Sequence, residues 1–275
     1  MEVFETPGDV SLQIRIPSGR VVVGTTDAPR TEVEVVPIGR RGDEAAEQIR
    51  VEHQERGGRH VVVVEQRNRI EWGPIQISWG GDVEVRVNCP GGTELELNGA
   101  STEFRAEGRY GRVSARTASG DVWLGEVNGR LEVKTASGDV NLERLEADGS
   151  SLQTVSGDVE IDYLDADLTL RTVSGDVDLG TIRGPVAVST TSGDVSLRSL
   201  EAGELRVQSV SGDSRIGIGR GTRIWVDASS ISGDMRSELA MDAEVAVAEA
   251  ESETPGEVVP VHVKTVSGDV SIVRA

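Results

Sequence analysis

The sequence has few aromatic residues, a single cysteine and a shortage of positive charge. Aromatic residues make up 3% of the 275 residues, and 28 lysines and arginines stand against 47 aspartates and glutamates, a net charge of −19. Such a charge disfavours binding to nucleic-acid phosphates or to an anionic membrane surface, since both need clustered basic side chains. The lone Cys89 cannot form an internal disulfide. A disulfide framework is therefore excluded, and the redox compartment stays open.

Long apolar runs are also missing. No stretch approaches about 18 unbroken apolar residues, the length that a membrane-spanning helix needs. Residues 1–9 contain neither a basic nor an apolar region, so they do not indicate a secretory signal. We therefore expect a cytoplasmic protein without a membrane span. The scarcity of aromatic residues together with 33 glycines favours repeated thin layers over a thick globular core.

The motif Ser-Gly-Asp recurs along the chain and defines an internal repeat. Its eight copies begin at Ser119, Ser137, Ser156, Ser174, Ser192, Ser211, Ser232 and Ser267. Apolar residues stand at fixed offsets around most copies, for example Val133, Val140 and Leu142 around the second. Such alternation with a period of two residues, rich in β-branched side chains, indicates strands. Each unit is thus predicted to contain a strand, a Gly-Asp corner, a second strand and a looser corner of variable length.

One such unit cannot bury its own apolar side. About five apolar side chains at ~1.5–3 kcal/mol each stand against an ordering cost of ~1–2 kcal/mol per residue over about 18 residues. Stacking adds a backbone ladder between units and closes the core. We therefore predict an all-β fold, a right-handed parallel β-solenoid (β-helix) whose rungs lie about 4.8 Å apart. The sequence leaves open whether each rung has two faces or three.

Two stretches interrupt the repeat. Strand-like runs and a short helical pattern at 43–48 predict a lateral β insertion or an N-terminal cap, and acidic residues later in the chain predict an excursion between two rungs. End rungs are expected to be atypical because they must cap an open edge. The predicted organisation is a degenerate first rung at 1–24, the insertion or cap at 25–92, regular rungs at 93–237, the acidic excursion at 238–260 and a terminal rung at 261–275.

Copies of Thr-Val-Ser-Gly-Asp-Val at 154–159, 172–177 and 265–270 give the chain a family resemblance. It resembles the bacterial β-strand-repeat family of unknown function whose members are provisionally labelled adhesins. The run at 85–93, a strand followed by a proline and a small-residue turn, is similar to the segment that leads into the repeats of that family. The resemblance covers nearly the whole chain; it implies the solenoid fold and supplies no catalytic residues. A weaker likeness, in rung length and stacking, is to bactofilins, cytoskeletal β-helices that polymerise end to end.

An aspartate follows every corner glycine, so the predicted stack carries an aspartate column. In a purely structural interpretation the glycine adopts a positive φ and the aspartate accepts a local backbone N–H. A cation site is the alternative, because stacked carboxylates about 4.8 Å apart repel by about 0.9 kcal/mol per pair even in water, and Ca²⁺ prefers oxygen ligands. The candidates for a calcium ladder are Asp121, Asp139, Asp158, Asp176, Asp194 and Asp213. No other cofactor is expected.

A threonine or serine stands two positions before every motif serine, from Thr117 to Thr265. We expect these hydroxyls and those of the motif serines to form hydrogen-bonded ladders along the stack; a flat array that binds a carbohydrate surface is the rival interpretation. Between the two hydroxyl columns lies a mostly apolar column, which includes Val155 and Val173. This column predicts either a bulge that turns it inward or an exposed stripe for a partner, and the sequence leaves both open.

Signals for catalysis are weak, and the chain is predicted not to be an enzyme. No histidine has a metal-ligand spacing or a convincing nucleophile nearby. His53 and His60 could face each other across a hairpin, where a solvated pair is favoured over a zinc site, and His262 is isolated. Parallel β-helix enzymes that act on polysaccharides use carboxylates on an outer face, so three acids near Tyr163 are the candidates for such a site. They are Asp162, Asp165 and Asp167.

Tryptophan is enriched at binding surfaces. The candidates for an interaction surface are Trp72, Trp79 and Trp123. We predict a non-enzymatic, acidic β-solenoid that serves as a scaffold or adhesin-like interaction module, with a protein partner or a second copy of itself, and with carbohydrate as a further candidate ligand. The alternatives are a self-assembling, bactofilin-like filament subunit and a carbohydrate-active β-helix enzyme.

Overall fold

A computed structural model of the chain describes residues 1–66, 82–239 and 258–275. In these residues nearly every element is a strand, and the strands form two sheets of thirteen and twelve strands. Each rung of the repeat contributes one strand to each sheet, and the apolar faces of the two sheets enclose the core. The predicted all-β solenoid is confirmed, and its rungs have two faces.

The strands are numbered along the chain. In spatial order, sheet 1 consists of β1 (Glu2–Glu5), β4 (Arg30–Ile38), β7 (Asp82–Pro90), β3 (Ser18–Thr26), β9 (Ser101–Tyr110), β11 (Val122–Val127), β13 (Val140–Leu145), β15 (Val159–Leu164), β17 (Val177–Ile182), β19 (Val195–Leu200), β21 (Ser214–Ile218), β25 (Val270–Arg274) and β23 (Met235–Ser237). Sheet 2 consists of β22 (Arg223–Ser232), β24 (Val258–Ser267), β20 (Leu205–Gln208), β18 (Val186–Ser189), β16 (Leu168–Arg171), β14 (Ser150–Gln153), β12 (Leu131–Lys134), β10 (Val113–Arg116), β8 (Glu94–Asn98), β2 (Val10–Arg15), β6 (Arg59–Gln66) and β5 (Ile49–Arg56). One short helix, α1, spans Gly42–Glu47.

Neighbouring rungs pair in parallel and in register, so equivalent residues stack in columns. Val140 pairs with Val122 on one side and Val159 on the other, and all three are buried. The apolar columns predicted from the repeat therefore face the core. Ser150 is a polar exception in such a column: it is buried, its hydroxyl donates to the carbonyl of Ala147 at 2.9 Å, and the same oxygen accepts the N–H of Leu131 at 3.1 Å. Its hydrogen bonds offset the cost of burying the hydroxyl.

At the N-terminal end, the order in space differs from the order in sequence. The rung formed by β2 and β3 stacks on β8 and β9, and β6 and β7 stack beyond it. The sheets then end in antiparallel strands, because β5 pairs with β6, β4 with β7 and β1 with β4. Helix α1 lies beside β4 and buries Ala45. These elements extend both sheets at this end of the stack, and the division into a lateral insertion or an N-terminal cap stays a prediction.

The C-terminal rung also lies inside the stack. Strands β24 and β25 pair with β20 and β21 on one side and with β22 and β23 on the other. The sequence order predicts residues 261–275 at the end of the stack, whereas among the described residues the outermost rung is 223–237. The physical reason lies in the apolar columns: Val270 and Ile272 are buried in the inner rung, whereas the outer rung places Met235 and Ser237 in the same columns, where both are exposed. The rung whose side chains are buried less completely in the apolar columns thus occupies the open end.

Residues 240–257, which make up most of the predicted acidic excursion, lie outside the described residues. Within the described ranges, none of the helices is long and apolar enough to cross a membrane.

Gly175 provides a test of how closely the rungs stack. Its φ is 144°, and a Cβ there would overlap the carbonyl oxygen of Gly157 in the rung below. We expect Gly175→Ala to lower the free energy of unfolding by roughly 3 kcal/mol or more, because the backbone must separate. The control is Gly149→Ala: φ is 71°, but the nearest atom to the added Cβ lies 3.8 Å away, so only about 1–2 kcal/mol should be lost. Denaturation of both variants by urea is the measurement, and equal losses would contradict close stacking.

Candidate interaction surface

The Ser-Gly-Asp corners line up along one side of the solenoid, where the chain passes from sheet 2 to sheet 1. We call this side the motif edge. Its backbone is continuous, since the motif serines form a chain of parallel bridges from Ser119 to Ser211 and on to Ser267. The motif edge comprises residues 116–121, 134–139, 153–158, 171–176, 189–194, 208–213 and 264–269, in this spatial order, with 229–234 at the open end.

The aspartate column completes the backbone ladder. Asp139 directs both its N–H and its C=O at the preceding rung: the carbonyl accepts the N–H of Val122 at 2.8 Å, and the N–H donates to Oδ1 of Asp121 at 3.0 Å. A side-chain oxygen thus supplies the acceptor that the backbone lacks at the corner. The same bond recurs at 2.8–2.9 Å between the remaining aspartates of the column. The structural interpretation is confirmed with one correction, since the N–H belongs to the next rung and is not local.

This arrangement bears on the calcium hypothesis. The backbone N–H donated to each carboxylate is a charge-assisted hydrogen bond that offsets part of the repulsion between neighbours that motivated a cation ladder. In the part of the chain that the structure describes, no group of three or more histidine, cysteine, aspartate or glutamate side chains could hold a metal ion. Calcium binding by the column stays a prediction.

The threonine column faces the core, and the predicted hydroxyl ladder is wrong there. In-register stacking separates equivalent side chains by about 4.8 Å, which is too long for a hydrogen bond between them. Thr190 and Ser209 instead donate to the carbonyl two residues further on, at 3.3 and 3.1 Å. Within the described residues, four hydroxyls of this column are buried without a hydrogen-bond partner, those of Thr135, Thr154, Thr172 and Thr265.

The apolar column between the hydroxyl columns points outward. Val155, Val173, Val210 and Val266 expose 52%, 48%, 50% and 45% of their surface. We call these four residues the valine stripe; Ile231, 82% exposed, continues it into the outermost rung. Of the two alternatives that the sequence left open, the exposed stripe is therefore the one observed. Alternation along the strand explains it, since the residue after an inward threonine faces solvent.

Charged columns flank the valine stripe on both sides. The aspartate column follows it. On the other side, three positions before the motif serine, four of the eight rungs present an exposed basic residue of a sheet 2 strand: Arg116, Lys134, Arg171 and Lys264. The other four rungs carry Gln153, Ser189, Gln208 and Ser229 at this position.

The basic residues differ in what they contact. Arg116 and Lys134 both contact Oε1 of Glu132 at 2.9 Å, and their hydrogen bonds lower the pKa of that carboxyl to about 2. Among the residues that the structure describes, neither Arg171 nor Lys264 forms an ion pair. The motif edge therefore carries a basic column with two free cations, an apolar stripe and an acidic column side by side.

The tryptophans predicted as contact residues lie elsewhere. Trp123 is on the outer face of sheet 1, 46% exposed, with the Arg105 guanidinium 5.6 Å from its ring centroid. Trp72 and Trp79 fall outside the described residues. A contact role for these side chains stays a prediction. Cys89 is buried, and burial raises the pKa of its thiol to about 11.

The histidines are only partly as predicted. His53 and His60 do face each other across the β5–β6 hairpin, with 3.1 Å between Nε2 and Nδ1. The prediction of a solvated pair is wrong, since His60 is only 8% exposed and Phe4 packs against the His53 ring. His262 lies on sheet 2, where its Nδ1 is 3.4 Å from Asp227.

The three acids near Tyr163 do not form one line of side chains. Asp162 is in β15, whereas Asp165 and Asp167 belong to the looser corner that follows. There the N–H of Asp167 donates to Oδ1 of Asp148 at 3.0 Å. This bond repeats at the looser corner the arrangement of the motif edge. It could not be predicted, because the looser corners share no sequence motif.

Comparison with known proteins gives one family and several likenesses of fold. The model of the Toastrack DUF4097 family matches residues 10–273. No curated protein matches the chain significantly. A proposed cell adhesion protein from Clostridium sporogenes ATCC 15579 is 10% identical, with a TM-score of 0.24 and coverage of 100% of this chain and 98% of that one.

Two further solved structures are similar. A proposed adhesin from Bacteroides fragilis NCTC 9343 is 14% identical, with a TM-score of 0.38 and coverage of 98% and 95% of the two chains. A proposed lipid-binding protein from Parabacteroides distasonis ATCC 8503 is 13% identical, with a TM-score of 0.43 and coverage of 100% and 95%.

Two substitutions at Asp158 test separately whether the aspartate column acts through its hydrogen bonds or through its charge. Its Oδ1 accepts the N–H of Asp176 at 2.8 Å. We expect Asp158→Ala to cost about 1 kcal/mol through the lost hydrogen bond. Asp158→Asn keeps an acceptor oxygen and removes repulsion, so its stability should equal or slightly exceed that of the wild type.

Thermal melting of the three proteins, each in chelator and in millimolar calcium, is the measurement. The wild-type midpoint should be the same in both. An equal loss in Asp158→Asn and Asp158→Ala, or a wild type that calcium stabilises, would show that the charge itself matters and would favour the cation ladder.

Proposed function

The chain belongs to the Toastrack DUF4097 family, and from that premise we propose that it is a non-enzymatic interaction module that binds a protein partner along its motif edge. The family resemblance drawn from the Thr-Val-Ser-Gly-Asp-Val copies is confirmed, and membership of this family gives no support to the bactofilin-like alternative. The observation that carries the proposal is the valine stripe.

The fold does not require valine at these positions. Thr191 occupies the same column between Val173 and Val210 and is exposed like them, so the corner accepts a polar β-branched side chain. Scattered apolar residues on a surface are common, but here two pairs of aligned valines form an apolar strip along one edge that is broken only at Thr191. Because valine and threonine suit strands about equally, the presence of valine is better explained by contact with a partner than by folding.

The edge also has the composition of a contact surface. Its apolar centre is bordered by charged and hydroxyl-bearing side chains, and binding surfaces commonly have an apolar core and a polar rim. In the described residues, no observation favours the carbohydrate-active alternative, whose carboxylates Asp162, Asp165 and Asp167 lie on different elements. The predicted lack of enzymatic activity and the cytoplasmic location stay predictions.

A fourfold valine-to-threonine variant tests the proposal. Val155→Thr, Val173→Thr, Val210→Thr and Val266→Thr together remove the apolar strip and keep the shape of each side chain. We expect the melting temperature to stay within a few degrees of the wild type, since Thr191 shows that the site accepts threonine. Quantitative affinity capture from the native host should show at least a tenfold loss of the protein that co-purifies with the wild type.

The matched control is Val3→Thr with Val258→Thr, because these valines are 48% and 44% exposed and lie away from the valine stripe. This control should capture as much partner as the wild type. Equal capture by the fourfold variant would refute the proposed contact surface.

A further inference from the structure

We propose that the protein partner of the motif edge is a second copy of this chain, with the two solenoids lying side by side and running in the same direction. The inference rests on the proposed function, because it names the partner of the same surface. It follows from the order of the three columns across the motif edge.

Across the edge, each of four rungs presents a basic residue, a small or apolar residue and an acid in the same order. All are exposed, and the parallel ladder keeps each column straight. The basic and acidic residues of these rungs are Arg116 and Asp121, Lys134 and Asp139, Arg171 and Asp176, and Lys264 and Asp269.

Symmetry determines which columns meet. A two-fold axis parallel to the long axis of the stack leaves every rung at its own level and exchanges the two flanks. The basic column of one copy then faces the acidic column of the other, and the valine stripes face each other. A two-fold axis across the edge would reverse the stack and place basic opposite basic. Like charges that face each other in a contact cost free energy, whereas opposite charges favour the register in which they meet. The parallel arrangement is therefore favoured. It is isologous, which means that both copies use the same surface.

Both flanks have charge available for a partner. In the described residues Arg171 and Lys264 form no ion pair. On the acidic flank, Oδ1 of Asp176 and of Asp269 each accepts a backbone N–H, and within the same described residues Oδ2 of these two aspartates has no partner. Arg116 and Lys134 already share Glu132, so the free cations should contribute most. The net charge of −19 on each copy opposes association. The free energy gained by burying the apolar strip and pairing the opposite charges must therefore exceed this repulsion.

The first test is sedimentation equilibrium of the full chain at near-physiological salt. The wild type should be a dimer at micromolar concentration. Arg171→Glu with Lys264→Glu places acid opposite acid, and its dissociation constant should rise at least tenfold. Asp176→Lys with Asp269→Lys should weaken the dimer in the same way, and mixing the two variants should restore it, because every facing pair is then opposite in charge.

A second measurement does not depend on the aspartate variants, which also lose a ladder hydrogen bond. Val155→Cys and Val266→Cys each place a thiol on the two-fold axis, so each should form a disulfide with its own kind on mild oxidation. The control Val3→Cys should not, and Cys89 is buried. A reversed pairing would instead link Val155→Cys to Val266→Cys in a mixture.

Three results would overturn the inference: a monomeric wild type, a dimer that the charge reversals leave unchanged, or cross-linking only in the mixture of the two cysteine variants. The proposed function fails differently. If the wild type is monomeric but the fourfold threonine variant still loses its captured protein, the motif edge binds another protein and only the inference is wrong.

Discussion

The in-register stacking of the corner is the constraint on which the rest of the structure depends. Each motif glycine lies against a backbone carbonyl of the preceding rung, which is that of Thr102 for Gly120 and that of the preceding motif glycine in the other rungs, so no side chain fits there. The next residue directs its N–H at the preceding rung and needs an acceptor that the backbone does not provide; the carboxylate of the preceding aspartate supplies it, as between Asp121 and Asp139. Together these two requirements explain why Ser-Gly-Asp recurs and why its spacing follows the rung length.

The same constraint makes surface features continuous. Because equivalent residues stack in columns, a type of side chain that recurs at the same position of successive rungs forms a continuous line along the surface of the solenoid. The valine stripe and its two charged flanks are such lines. The aspartate flank completes the ladder at the corner, whereas the valine and basic columns are not needed to hold the corner together, since Thr191 and Ser189 occupy them in one rung. The corner fixes the ladder, and the residues beside it are free to vary with what the edge binds.

Much of the fold could be predicted because a two-residue period and a fixed corner determine which side chains face inward, as at Val133 and Val140. The threonine ladder was predicted wrongly because the spacing between rungs exceeds hydrogen-bonding distance. The order of the end rungs could not be predicted, since nothing local specifies that β24 pairs between β20 and β22. Nor could the sequence decide whether the valine stripe is exposed, because the stripe lies at the corner, where a bulge would have reversed the alternation that in fact continues through Thr154 and Val155.

The shape of the particle in solution tests the central claim, that the motif edge is a contact surface between parallel copies. Twelve stacked strands at about 4.8 Å give a solenoid about 55 Å long. Small-angle X-ray scattering of the full chain should show twice the mass of one chain with a longest dimension close to that of a single solenoid and a widened cross-section. A particle with the mass of one chain, or a dimer whose longest dimension approaches about 110 Å through end-to-end contact, would contradict the account.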